Sequence, residues 1–366
     1  LVGILDPFGT FFRLGGSLRD IIFSVIGSYI GSCRLVGFLG DTGGIGTKVG
    51  NQTHGTAALD VDSFIELLSD PHGLLGGKIQ NFGCFLLQRT GSKGSRSLTR
   101  YRFTHCNNLP AGVLQKLEEA RQSEISPLGC RVLDTIIDNA RLSHKKQVPL
   151  CQDTGLTVVY IDVGQEVHFT GGDLWKAIND GVAKGYIDGY LRKSSVDDPL
   201  FVRKNTQDNT PAIIHCRIVP GDKVHLIVLP KGCGSENMSR LRMLKPADGL
   251  EGVLNFVQEA VQDARPNPCP PVTVGVGIGG NAELAAELAK YALVRPIGEH
   301  NANPRYAELE DHLLELVNKT GVGPAGLGGK TTAVAVNVEY APTHIGGLPC
   351  AIIFNCHAAR RSEATI

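Results

Sequence analysis

Three short stretches of this sequence gather side chains able to bind metal or move protons. Pro149-Leu150-Cys151-Gln152-Asp153-Thr154-Gly155 sets a thiol, an amide, a carboxylate and a hydroxyl side by side before a glycine. A thiolate there can bind a soft metal while its polar neighbours hold a substrate. Pro266-Asn267-Pro268-Cys269-Pro270-Pro271 surrounds one cysteine with four prolines, which stiffen the backbone and remove competing N–H donors. Asn355-Cys356-His357-Ala358-Ala359-Arg360 follows a β-rich run and puts a cation four residues after its thiol. Each also has a plainer reading, Cys151 as a small hydrophobe beside a turn-forming Asp153 and the Cys269 segment as a stiff loop. No Cys-x-x-Cys pair occurs, which argues against a zinc ribbon. A [4Fe–4S] cluster is normally tied by four thiolates; held by three distant cysteines, it would keep one iron open as a Lewis acid.

Other signals compete. Gly275-Val276-Gly277-Ile278-Gly279-Gly280 follows a strand, opens a helix and satisfies G-x-G-x-x-G, with Glu299 about twenty residues on. That is the pattern of a dinucleotide site and supports an NAD-dependent oxidoreductase as the rival function, although no repeated βαβ unit surrounds it. The run from Gly323 to Thr332 imitates a P-loop, but proline at 324 breaks the spacing, leaving at most a glycine-rich anion loop beside Lys330. Arg192, Lys193, Arg203 and Lys204 sit among amides, where guanidinium forks suit carboxylates. His344 lies in a tight turn, placed for a proton donor or for a structural hydrogen bond.

The elements that must position these groups begin near Leu109. Apolar residues recur at helical spacing over 110–123, and Ser126-Pro127 forms an N-cap with proline at the first helical position of a second helix. From Val148 onward short strands alternate with helices. The expected strands are 157–163, 212–219, 223–229, 272–276, 332–338 and 351–355, with helices at 172–185, 249–264 and from the glycines after 276 through 293. The segments 212–219 and 223–229 are expected to pair across Pro220-Gly221-Asp222. The fold class is mixed α/β: a β-sheet core flanked by helices, with an N-terminal helical segment from about residue 109. No internal repeat is visible in the sequence.

Composition sets the outer limits. The chain has 366 residues, with Lys plus Arg and Asp plus Glu both at 36, so no bulk field favours nucleic acid or an anionic membrane. An anionic substrate must be met by local cations or a metal. The apolar run 21–33 is too short to span a bilayer. Ten cysteines without a secretory signal point to reduced thiols in the cytoplasm. Residues 1–100 are Gly-rich and aperiodic, and the first residue is not methionine. They are expected to be a separate segment, disordered or artefactual, ahead of a domain over 101–366.

Taken in order, PLCQDTG, HFTGGDLWKAINDGVAKGY, YLRKS, RKNTQDNTPA, KGCGSENMSRLRMLKP, PNPCPP, GVGIGG, RPIGE, GLGGKTTA, PTHIGGLP and NCHAAR resemble the class I fumarate hydratase / L-tartrate dehydratase alpha-subunit family from about Leu109 onward. The resemblance implies a [4Fe–4S] cluster on Cys151, Cys269 and Cys356. It implies that Gln152, Asp153, Arg192 and the 231–237 loop, with Gly232 and Gly234, contact a small dicarboxylate. Asp153 would belong to the proton-abstracting side and His344 to the acid side. It implies fumarate or tartrate as substrate, a beta subunit carrying the remaining residues, an alpha2beta2 assembly, and little activity without that partner. Cys233 stands where the family pattern has glycine, and Arg361 where it has histidine.

Overall fold

The structure, a computed structural model, describes residues 4–5, 11–12, 106–110, 112–169 and 172–366. The chain divides into a unit Leu1–Gly77 and a unit Lys78–Ile366. In the first, the described residues are the antiparallel pair β1 (Ile4–Leu5) and β2 (Phe11–Phe12). The expected character of 1–100 otherwise lies outside the described residues. Every candidate site residue belongs to the second unit.

Two helices lead. α1 (Val113–Ser123) and α2 (Pro127–Lys146) bury Val113, Leu117, Leu133, Ile136 and Ile137 against each other. The Ser126 hydroxyl accepts from the Gly129 N–H at 3.2 Å with Pro127 in the first turn, so the cap read from the sequence is the cap that forms.

Two four-stranded sheets come after them. The first is built from β3 (Leu156–Gly164), helix α3 (Leu174–Asp188), β4 (Ile213–Val219) and β5 (Val224–Lys231). After the one-turn helix α4 (Cys233–Glu236) and β6 (Arg240–Leu244) comes α5 (Gly249–Ala264). The second sheet uses β7 (Val272–Gly280), β8 (Ala333–Thr343) and β9 (Leu348–Asn355), with α6 (Ala282–Ala292) and α7 (Pro304–Lys319) between β7 and β8. β10 (Ser362–Thr365) ends the chain. The strand orders are β10-β5-β3-β4 and β6-β9-β7-β8.

The expected hairpin of 212–219 with 223–229 does not form. β4 runs parallel to β3 on one side, and β5 runs antiparallel to β3 on the other. β3 is buried almost throughout and belongs in the centre, while β4 is largely exposed and suits an edge. The link from β4 to β5 must therefore cross the end of β3, which it does at Gly164. A Cβ there would stand 2.4 Å from the Gly221 carbonyl oxygen. The second sheet repeats the strand order: β8 is parallel and β9 antiparallel to the central β7, and a Cβ on Gly279, near the end of β7, would stand 2.0 Å from the oxygen of its β8 partner Ala341. A β-α-β-β repeat is thus present in the topology although none shows in the sequence.

The layers follow from the apolar faces. α3 covers Val159, Ile161 and Val163 through Ile178. The other face of that sheet, with Val158, Tyr160 and Leu229, meets Val294 and Tyr291 at the end of α6. The body of α6 lies on Ala351 and Ile353 of the second sheet, whose far face packs on α5 and α7 through Val257, Val261, Leu313 and Val317. Each such buried aliphatic side chain contributes about 1.5–3 kcal/mol.

Candidate functional site

The two sheets end at the same kind of place. Leu156, at the start of β3, lies opposite Lys231 at the end of β5, and Thr273, near the start of β7, lies opposite Asn355 at the end of β9. Cys151 and Cys269 enter their central strands beside the exits that carry Cys233 and Cys356. The backbone crosses over here: the His357 N–H donates to the Cys269 carbonyl at 3.3 Å, and its ring Nδ1 is 3.1 Å from the same oxygen. Cys151 and Cys356 pack with Ala140 of α2, Leu150 and Ala358.

Cys151, Cys269 and Cys356 are free thiols, each partly buried. They lie within electrostatic reach of one another. The Cys269 thiol is pushed up to about 12, first by burial and then by Cys356, Cys151 and Asp153. Cys151 is also raised, chiefly by burial, with Arg360 pulling the other way. Cys269 adopts φ 56° inside its proline cage, a left-handed conformation uncommon for a non-glycine residue. Among the described residues, no three His, Cys, Asp or Glu side chains converge on one ion position. A lone zinc ion needs its thiolates about 2.3 Å from one centre, and that geometry is not offered. An iron–sulfur cluster spreads its ligands over several irons, so it asks only that the thiols border a shared space. The donor set fits that demand.

Asp153 ties the approach together. Its Oδ1 accepts from the Gly155 N–H at 2.9 Å and its Oδ2 from the Cys233 N–H at 2.8 Å. A carboxylate offers about four lone-pair positions, so both oxygens retain capacity for a proton or a ligand. Gln152 lies beside Cys151, its Oε1 3.3 Å from the sulfur. Gly232 permits the close approach: a Cβ there would stand 3.3 Å from Asp153 Oδ2 and 3.6 Å from Arg360 Nη2. Gly234 faces the Cys269 loop, with the Asn267 oxygen 3.6 Å from its Cβ position. Arg192 is exposed, and its carbonyl accepts from the Thr154 hydroxyl at 3.1 Å. Fully buried Asn209 anchors the same loop, accepting from the Ser194 and Ser195 N–H groups and donating to the Gly155 carbonyl.

Behind the 231–237 loop lies a buried charge network. Lys231, 3% exposed, donates to the Gly232 carbonyl and the Ser235 hydroxyl, and pairs with Glu236 at 3.3 Å. Burial pushes Lys231 down, partly offset by Glu236. Burial would raise Glu236, but Lys231 and Lys290 together outweigh it and hold the carboxyl low.

A family model described as Fumarate hydratase (Fumerase) matches residues 98–365. The chain belongs to that family. It is 42% identical over 261 residues to a Methanocaldococcus jannaschii protein named "Putative L(+)-tartrate dehydratase subunit alpha", covering 69% of this chain and 90% of that one. It is 34% identical over 260 residues to the L(+)-tartrate dehydratase subunit alpha of Escherichia coli K12, covering 70% and 86% respectively.

Of the residues read from the fumarate hydratase resemblance, Cys151, Gln152, Asp153, Gly232, Gly234, Cys269 and Cys356 share one end of the two sheets. His344 does not. It sits on the exposed turn between β8 and β9, its Nδ1 accepting from the Gly346 N–H at 3.0 Å. All of β9 separates it from Cys356, a span of about 27 Å at about 3.4 Å per residue. The glycines at 275–280 are not a phosphate loop either. They lie within β7, where Cβ atoms on Gly275 and Gly277 would stand 2.1 and 2.0 Å from carbonyls of α6. They let helix and strand touch.

The P-loop imitation has its anion already. Buried Glu124 accepts from the backbone N–H groups of Ile125, Ser126, Lys330 and Thr331. Glu124, Asn209 and Lys231 do not stand out by side-chain type. Their partners lie far along the chain, and only the fold reveals them.

Proposed function

We propose that this chain is the alpha half of a hydro-lyase that reversibly adds water to a small dicarboxylate, fumarate to malate, with a [4Fe–4S] cluster on Cys151, Cys269 and Cys356. The observation that carries this reading is the meeting of three partly buried, unbridged thiols next to a backbone-clamped Asp153. When bound, the cluster would supply an open iron as Lewis acid for the substrate's carboxylate and hydroxyl. The chain's own residues do the rest. Arg192 offers a fork for the remote carboxylate, Gln152 and the Gly232–Gly234 backbone bound the space beside the cysteines, and Asp153 takes the proton from the carbon next to a carboxylate.

His344 can serve this site only from a second copy of the chain. Two concavities flank its turn, bordered by Asn281, Glu283 and Thr343 on one side and by Leu250, Tyr306 and Ile345 on the other. A beta subunit supplies the remaining substrate contacts in an alpha2beta2 assembly. Among the described residues no helix is long and apolar enough to cross a membrane, and a reduced cytoplasmic setting suits free thiols. A second reading, L-tartrate as substrate, is favoured by the names of the relatives.

The test is anaerobic iron and sulfide analysis with EPR on wild type and Cys269→Ala, followed by fumarate and tartrate assays with a beta subunit added. Iron near four per chain in wild type and its loss in the variant support the reading. No iron in either after reconstitution would remove it. The two assays decide the substrate.

A further inference from the structure

Buried cations in this fold have carboxylate partners, with one exception among the described residues. Lys231 has Glu236, and Arg295 is gripped by Glu310 and Glu339. Arg360 is as buried as any of them, 2% exposed, yet forms no ion pair. Its Nη1 donates to the Asp153 carbonyl at 2.8 Å, and its Nε is buried without any acceptor. A guanidinium keeps its charge at every pH a protein meets. Taking such an ion out of water costs several kcal/mol unless an anion and hydrogen bonds offset it. One backbone carbonyl is too little.

Its position says where an anion would sit. Arg360 follows Cys356 by four residues and reaches the carbonyl two residues after Cys151. Its Nη2 stands 3.6 Å from the Cβ position of Gly232, at the rim of the substrate loop. The Asp153 carboxylate, which also borders the Gly232 Cβ position, is held instead by two backbone N–H groups. The unpaired charge thus borders the space that the three thiols share.

We propose that Arg360 is a positioning residue that balances the negative charge of the group bound by Cys151, Cys269 and Cys356 and orients Asp153 through its carbonyl. This rests on the reading of those thiols as cluster ligands. Three thiolates give an iron–sulfur cluster a net negative charge, and a fixed cation beside it needs no reorganisation when the cluster arrives. The iron-free chain leaves Arg360 without its counter-ion.

Arg360→Gln and Arg360→Lys separate charge from shape, since both can donate to the Asp153 carbonyl and only lysine keeps the charge. The full-length chain is reconstituted anaerobically and challenged with an iron chelator, while melting is followed with and without iron. We expect Arg360→Gln to weaken iron retention about 10- to 100-fold, Arg360→Lys to stay within a few-fold of wild type, and iron-free Arg360→Gln to melt no lower than iron-free wild type. Equal iron retention in wild type and Arg360→Gln, or equal loss in both variants, would overturn the charge-balancing role. So would a fall in melting temperature that is the same with and without iron. Failure of wild type itself to take up iron would instead sink the cluster reading, and this inference with it.

Discussion

The two halves of the folded unit solve one topological problem twice and put different chemistry on the solution. In each, a central strand has a parallel neighbour on one side and an antiparallel one on the other, with a glycine near its far end where a Cβ would clash with neighbouring backbone. Each central strand is preceded by a cysteine, and each antiparallel strand is followed by a cysteine-bearing loop. In the first half that exit loop is 231–237, whose backbone N–H holds Asp153. In the second half it is Cys356 itself. The halves also exchange their outer strands: β6 follows the first half but pairs with β9, and β10 follows the second but pairs with β5. That second exchange carries Arg360 to Asp153. Repetition supplies two matching ends, and exchange joins them into a site that neither half holds alone.

The sharpest way to break this comparison is to swap the weight of the two exits. Cys356→Ala should abolish cluster binding, whereas Cys233→Ala, at the corresponding exit of the first half, should keep full iron. Cys233 reaches Asp153 through its N–H, while its exposed thiol donates to Asn237 Oδ1 at 3.6 Å. Iron stoichiometry on the two variants reads this directly. Iron lost from Cys233→Ala and kept by Cys356→Ala would reverse the assignment of the ligands.

How much of this is legible in the sequence depends on the distance over which each signal acts. The helix cap at Ser126, the amphipathic α2 and the buried β7 are local patterns, and they appear where periodicity and capping put them. The expected pairing of 212–219 with 223–229 fails because a short turn cannot reveal a third strand lying between its arms. The cysteines are visible as types in unusual settings, but their convergence depends on strands far apart in sequence. Arg360 stands out only as a cation after Cys356; its isolation is a property of packing.

His344 gives the next largest effect. Its place beyond β9 excludes it from its own chain's cysteines. If it donates a proton, His344→Asn should lower kcat by about 10²–10⁴-fold, with iron content unchanged. Mixed with Cys269→Ala chains, it should then recover part of the activity, because each copy supplies what the other lacks. Absence of recovery in a verified mixed assembly would show that no second copy delivers this histidine.

Glu124 marks where the halves differ most, since the second half alone has the extra helix α7 and the glycine-rich return that Glu124 clamps. Removing the carboxylate leaves the buried N–H group of Thr331 and the partly buried one of Lys330 without an acceptor. Glu124→Ala should therefore cost about 3 kcal/mol, read as a shifted urea midpoint. Burial would raise this carboxyl, but its backbone donors outweigh that and hold it low. Its stabilising contribution is thus complete above the ordinary glutamate range and fades as pH falls through its depressed value. A loss below about 1 kcal/mol would mean the loop holds itself.

The smallest effect is a pH limb that only the second half should dominate. The Cys269 thiol is raised from 9.0 to about 12 in the folded chain, so the folded state keeps a proton that the unfolded state releases. Stability from this group is complete below pH 9.0 and is lost as pH rises toward about 12. The slope is at most about 1.4 kcal/mol per pH unit for one such thiol. Urea melts of the iron-free chain from pH 8 to 10 should weaken over the upper part of that range, and Cys269→Ala should flatten the decline. Loading with iron should flatten it as well, because ligating thiols have already given up their protons and the uptake itself releases them. An alkaline limb unchanged in both cases would place the responsible group elsewhere, with buried Cys350, raised to about 12 by burial, the first to substitute.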